Sequence, residues 1–181
     1  MFKLPCGFIT ASNGNNRHQS IEVGQLTKLL INNLGKELEF NLLTGEPEIK
    51  RHPIDTNFVE NFYIPLSEWG YRIRKGCATD SLLYASQKNS YHPVLDDLSR
   101  IEKDETIKPI DLKKAATIYL GTKDELYDAM LSCWLIGLVK RAFQAGCKFD
   151  NCLVLQGAEG IRKSAFFKYL AGNDDWVCDT W

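Results

Sequence analysis

Three features predict a mostly helical α/β chain. Apolar residues fall at helical spacing from Ile21 to Leu34 and again from Asp111 to about Ala145. Leu38, Phe40 and Leu42 alternate with polar residues. Between Cys152 and Leu170 a short apolar run, a glycine-rich loop and an amphipathic stretch follow one another. The order puts a small mixed α+β region in front and helices leading into a strand–loop–helix unit behind. The divisions drawn are an irregular lead-in at 1–20, a mixed α+β N-terminal region at 21–104, and a helical lead-in to the strand–loop–helix unit at 105–181.

The lead-in holds Pro5, Gly7, Gly14 and the Asn-rich Asn13–Asn16 without a sustained period. From Ile21, Val23, Leu26, Leu30 and Leu34 form one helical stripe, and Gly35 stands where a left-handed cap would stop it. The alternating run that follows is a strand, and Thr44-Gly45 with Glu46–Lys50 predicts a hairpin return. Phe58, Val59, Phe62 and Tyr63 predict a short helix that Pro65 should end. Arg72, Arg74 and Lys75 could touch a nucleic-acid backbone, but three charges without a supporting motif read more simply as a solvated loop or strand edge. Leu82, Leu83 and Ala85 mark another helix. Tyr91-His92-Pro93 opens the next, with Pro93 at its first position.

The polar stretch Glu102–Pro109 reads as a linker. Beyond it Asp111 caps a helix with Leu112, Ala115, Ala116 and Tyr119 on one face, closed by Gly121. Thr122 and Glu125 then have the spacing of a capping box for a helix running to about Ala145. Leu126, Met130, Cys133, Trp134, Gly137 and Leu138 surround most of that helix, the pattern of an element packed on several sides.

Composition excludes several classes. With 181 residues, 44% hydrophobic and 25% charged, the chain has the balance of an ordered protein able to bury one core or two small ones. Its 22 Lys and Arg against 23 Asp and Glu leave a net charge of −1, so no basic face for autonomous nucleic-acid binding follows from composition. Cys6, Cys77, Cys133, Cys147, Cys152 and Cys178 lack the paired spacing of a zinc or redox motif and read as reduced thiols. His18, His52 and His92 are too dispersed for a metal or catalytic cluster. The start carries no secretory signal, and the apolar run Ala129–Val139 is shorter than the roughly 20 residues needed to cross a bilayer. The expectation is a cytoplasmic protein with no membrane partner.

The chemistry lies in Cys152–Ser164. An apolar strand, Cys152–Gln156, enters the loop Gly157-Ala158-Glu159-Gly160-Ile161-Arg162-Lys163-Ser164, and a helix follows. A phosphate-binding loop needs this order: the strand fixes the loop, backbone amides turn toward the phosphates, and the helix N-terminus adds a favourable dipole. Gly157, Gly160, Lys163 and Ser164 are the nucleotide-binding candidates. Lys163 would meet the terminal phosphates, and the Ser164 hydroxyl would ligate magnesium. The usual second glycine is replaced by Arg162, whose Cβ resists the bend that glycine accepts. Two outcomes remain open: Arg162 points outward and leaves a weakened site, or it fills or distorts the pocket.

The ordered succession of Tyr91-His92-Pro93-Val94, the long helix ending in Gly146-Cys147-Lys148-Phe149-Asp150, Leu153-Val154-Leu155, the loop with Gly157, Gly160, Lys163 and Ser164, and finally Trp176 with Asp179-Thr180 resembles the virulence-associated protein E family. Phe40–Glu46 is similar too, so the resemblance extends from about Gln25 to Trp181. It implies a P-loop ATPase of phages, prophages and mobile islands, related to superfamily-three and primase-associated helicases, with ATP and Mg2+ as cofactors and DNA or replication proteins as partners. It also implies an ATPase core that continues well past the first phosphate loop, so 105–181 would hold the beginning of a P-loop NTPase domain. Asp174, Asp175 and Asp179 are expected to be loop carboxylates, not the acidic magnesium-binding residue of such a core.

Three readings result. The chain is part of a replication ATPase, a DNA helicase or primase-helicase, with an altered phosphate loop; or it is an inactive, truncated protein serving as a DNA- or protein-interaction module, self-association included; or it is a relic whose loop has lost its role. A single parallel strand without neighbours leaves both backbone edges unpaired, so residues after about Gly146 are expected either to find strand partners or to be held poorly. Strong hydrogen-exchange protection throughout 152–171 in a dilute monomer would contradict that expectation.

Overall fold

Leu26, Leu30 and Leu34 lie on one stripe of α1 (Val23–Leu34) and are all buried, which is what the 3.6-residue period dictates. The computed structural model describes residues 19–177 and divides the chain into two compact units, Met1–Ile107 and Lys108–Trp181.

In the first unit α1 packs against α4 (Lys75–Gln87). The α4 face is built of Ala78, Ser81, Leu82 and Ala85, all buried, and the small residues let the helices approach. Ser81 Oγ donates to Val23 O of α1 at 3.2 Å and to Cys77 O at 2.7 Å, so its buried hydroxyl is satisfied across the interface. Each fully buried leucine in this core contributes on the order of 1.5–3 kcal/mol relative to exposure.

The sheet beside these helices has the order β4-β3-β2-β6. Strands β2 (Leu38–Asn41) and β3 (Glu46–Ile49) pair antiparallel with Leu38 opposite Ile49, as the hairpin pattern predicts. A further hairpin, not foreseen, joins β3 to β4 (His52–Pro53) through Lys50 and Arg51 alone. Both turn residues have positive φ, 53° and 64°, as a two-residue turn that follows the strand twist requires. Strand β6 (Ser90–Tyr91) adds in parallel to β2. Asn89 Nδ2 ties the junction by donating to Gly35 O at 2.9 Å and Leu38 O at 3.0 Å.

Pro65 does not end the predicted helix. The chain forms α2 (Thr56–Glu60), capped by the Asp55 carboxylate accepting from Phe58 N at 3.0 Å, and then α3 (Tyr63–Glu68), which contains Pro65. At the third position of α3 the missing N–H would have had no intrahelical acceptor, so proline costs little there. Beyond α3, β5 (Tyr71–Arg72) pairs in parallel with β1 (Gln19–Ser20), and Arg74 and Lys75 open α4. After β6 comes α5 (Pro93–Lys103), with Pro93 first and the His92 ring accepting from Leu95 N at 3.4 Å.

The second unit starts with a single turn at Leu112–Lys114 leading into α6 (Ala115–Leu120), closed by Gly121 in the left-handed conformation, then α7 (Glu125–Phe143) and α8 (Lys163–Ala171). Its core is Ala115, Ala116 and Leu131, with Trp134, Leu135, Leu153 and Phe166 packed against it. The capping box predicted for α7 is not formed. Asp124 is the N-cap, accepting from Leu126 N at 2.9 Å, and the Thr122 hydroxyl is buried without a partner. A carboxylate directly before the first turn out-competes a hydroxyl two residues further away. Nor is α7 packed on all sides: Asp128, Leu131 and Gly137 are buried, whereas Leu126, Met130, Cys133, Ile136 and Leu138 are exposed, because the short α6 covers only one stripe.

Asp128 joins α7 to α6. Its carboxylate accepts from Thr117 Oγ1 at 2.7 Å and Thr117 N at 2.8 Å, and these bonds hold it below the usual carboxylate range. A depressed folded-state value means stability that is present above the ordinary carboxylate pKa of about 4 and lost as pH falls through the lower one. The Thr117 amide is therefore expected to lose hydrogen-exchange protection below about pH 4. In Asp128→Asn, which cannot titrate, that acid-dependent loss should disappear.

Candidate functional site

No strand forms at Cys152–Gln156. Residues 151–158 carry no regular structure, and among the described residues their backbone groups make no backbone hydrogen bond. A strand exists only through its neighbours, and among its described residues the second unit supplies no strand beside this run. The segment is held by side chains instead. The Phe149 ring lies against Gly137 of α7, so close that a Cβ at 137 would stand 1.9 Å from Phe149 Cε2. Arg141 Nη1 donates to Phe149 O at 3.3 Å. Leu153, four residues further on, packs on the Ala115–Ala116–Leu131 core.

The far side of the loop is anchored on the same core. Phe166 packs there, its ring meeting that of Phe167 at 5.4 Å, and Phe167 meets Trp134 edge-on at 6.1 Å. Both flanks of Gly157–Ser164 thus rest on the α6–α7 pair. The aromatic anchors were not singled out in the sequence, although their period along Ala165–Leu170 was the available signal.

Between the anchors the loop closes on itself. Lys163 Nζ donates to Gly157 O at 2.9 Å and to Ala158 O at 2.7 Å, spanning six and five residues back along the chain. Gly157 faces Ile161 so closely that a Cβ would come within 2.4 Å of Ile161 Cδ1. Gly160 has φ +81°, and Arg162, at the place of the usual glycine, has φ 62° and ψ 31°. The backbone therefore keeps the left-handed bend with an arginine there, at a cost on the order of 1–2 kcal/mol. Arg162 is exposed, and Ser164 is exposed in the first turn of α8. The loop thus brings together Gly157, Gly160 and Lys163, with Ser164 directly following.

Other candidates are not brought in. His52 is exposed on β4 and His92 caps α5 in the first unit. Among the described residues no group of three His, Cys, Asp or Glu side chains could hold a metal ion. Cys77, Cys133, Cys147 and Cys152 are free thiols. Asp174 is exposed in a single turn at Asp174–Trp176. Asp179, Thr180, His18, Cys6 and Cys178 lie outside the described residues. Among the described residues no helix is long and apolar enough to cross a membrane.

A search of curated proteins and a search of solved structures return no match. A scan of protein families matches residues 101–181 to the Virulence-associated protein E-like domain. The match starts at Ile101, so Phe40–Glu46 and Tyr91–Val94, also part of the sequence resemblance, lie ahead of it. Residues 101–181, which hold the anchored glycine loop and the two helices that carry it, are thus similar to the virulence-associated protein E-like domain, a class associated with phages and mobile elements.

Proposed function

We propose that Gly157–Ser164 binds the phosphates of a nucleoside triphosphate, and that the chain serves as part of a replication ATPase of a phage or mobile element, a DNA helicase or primase-helicase. The observation that carries this reading is the Lys163 ammonium folded across the loop onto two carbonyls at its entrance. An ammonium with carbonyl partners near 3 Å is already positioned inside the turn and can exchange them for phosphate oxygens, which bind it more strongly as charged acceptors. The donor set fits a phosphate: one cation, a bend kept at Gly160 and Arg162, and the first turn of a nine-residue helix. Ser164 is the residue that would hold magnesium, and bound Mg2+ would neutralise phosphate charge. This chain's own part is to grip and orient the phosphates.

Calorimetric titration with MgATP tests it. The native chain is expected to bind, and Lys163→Ala to lose about 10- to 100-fold in affinity, the worth of one charge-assisted contact. Arg162→Gly is expected to bind several-fold more tightly, since it removes a Cβ and side chain from the turn that the phosphates must approach. If neither the native chain nor Arg162→Gly binds, the nucleotide reading fails. The interaction-module reading would then stand, favoured by the exposed Leu126, Met130, Ile136 and Tyr169 of α7 and α8.

A further inference from the structure

The first unit holds a cleft of about 470 Å³ between Ser20–Val23 and Arg72–Cys77. Strands β1 and β5 are parallel, with Gln19 opposite Tyr71 and Ser20 opposite Arg72, so both chains leave the sheet at the same end and each enters a helix, α1 or α4. Clefts at the carboxyl ends of parallel strands are where ligands bind in open α/β folds. Ile21, Val23 and Ile73 give this one an apolar wall, and Arg72, Arg74 and Glu22 bring the charges. Among the described residues neither guanidinium is paired with a carboxylate.

Glu22 is the acidic side chain among the residues lining the cleft, against the two arginines. Arg74 occupies the N-cap of a 13-residue helix, where it can donate but cannot accept from the first-turn amides; Lys75 follows, and the first turn holds no acidic residue. Arg72, Arg74 and Lys75 therefore stand at the positive end of α4 beside an open cavity, where a bound anion is favoured by the helix dipole and by the cations alike.

We propose that this cleft binds a phosphate monoester, with the Arg72 and Arg74 guanidinium groups on the phosphate oxygens and the attached group against Ile21, Val23 and Ile73. Planar guanidinium forks match phosphate oxygens. A monoester fits better than the interior of a nucleic-acid strand. The site is one concavity, and a running backbone needs a row of cations, which a chain of net charge −1 does not supply by composition. Glu22 opposes the anion and limits its affinity.

The test uses the full chain carrying Lys163→Ala, so that the loop of the second unit does not contribute and its failure does not bear on this site. Inorganic phosphate, AMP, and an oligonucleotide with a 5′-phosphate or a 5′-hydroxyl are titrated while the Gly76 and Cys77 amide resonances are followed. Phosphate and AMP are expected to shift both amides, and the hydroxyl-ended oligonucleotide to shift neither. Shifts by the phosphorylated oligonucleotide as well would name a strand end as a source of the phosphate, and their absence a free nucleotide; both outcomes support the site. Adding Arg74→Ala should weaken AMP about tenfold or more, and Glu22→Gln should tighten it several-fold. AMP affinity unchanged by Arg74→Ala, no shift at Gly76 and Cys77 with AMP, or equal binding of the two oligonucleotides would overturn the proposal.

Discussion

Replacing Glu48 by alanine is expected to cost the first unit on the order of 3 kcal/mol, a fall in its melting temperature of roughly ten to twenty degrees. Glu48 is 3% exposed on β3, and both carboxylate oxygens are engaged: Asn41 Nδ2 donates to Oε1 at 2.8 Å, and the Tyr91 hydroxyl donates to Oε2. Asn41 lies on β2 and Tyr91 on β6, so one side chain ties three strands. Removing it leaves a hydroxyl and an amide without their acceptor, and unmade buried bonds cost more than made ones contribute. Glu48→Gln keeps the shape and should lose less.

The same contact sets an alkaline limit. Burial and the bond to Glu48 push the Tyr91 phenol up to about 12. Its folded value exceeds the ordinary value of about 10, so this contribution to stability is complete below pH 10 and is lost as pH rises toward 12. Chemical denaturation of the native chain and of Tyr91→Phe across that range should give stability curves that converge. A constant gap would remove Tyr91 from the account.

Phe62→Ala should be at least as damaging, about 3–5 kcal/mol. Phe62 is 1% exposed at the bend between α2 and α3, with the Phe58 ring at 5.7 Å, and it shares a core with Leu26, Leu30 and Leu66. The bend cannot close over the space an alanine would leave, because Pro65 restricts the backbone just beyond it. Urea denaturation followed by a first-unit probe should show a lower midpoint with an unchanged slope. If the midpoint holds, Phe62 is not central to this core.

How far the sequence could be read depended on where the deciding physics lay. Helices α1, α4 and α5 and the hairpin β2–β3 were legible because period, a cap or a turn residue near at hand specifies each. The start of α7 was misplaced by the rival claims of Thr122 and Asp124, which differ by two residues and only in acceptor strength. Strand β4 was missed because its turn is Lys50-Arg51 where glycine or asparagine is usual. Arg51 is held there by Glu39 at 3.1 Å, by Asp96 at 3.6 Å and over the Tyr91 ring at 3.6 Å, contacts from distant parts of the chain that no local pattern could signal.

At the loop, the residue types and their order were readable, but the conformation of Arg162 was not. A side chain in place of glycine is compatible with a kept or a lost bend, and only the anchoring of both flanks by Leu153 and Phe166 decides for the bend. The Phe149–Gly137 contact was equally out of reach. It depends on a close approach between residues 12 apart, and glycine in a helix can also be mere tolerance.

The unladdered run 151–158 has a consequence for the protein in solution. Val154 is 77% exposed within an apolar stretch whose amides and carbonyls have no backbone partners among the described residues. Such a stretch is a template that any extended chain can pair with, including the same stretch of another molecule. The colloidal behaviour of the second unit therefore depends on how much protein is present as well as on how hot it is.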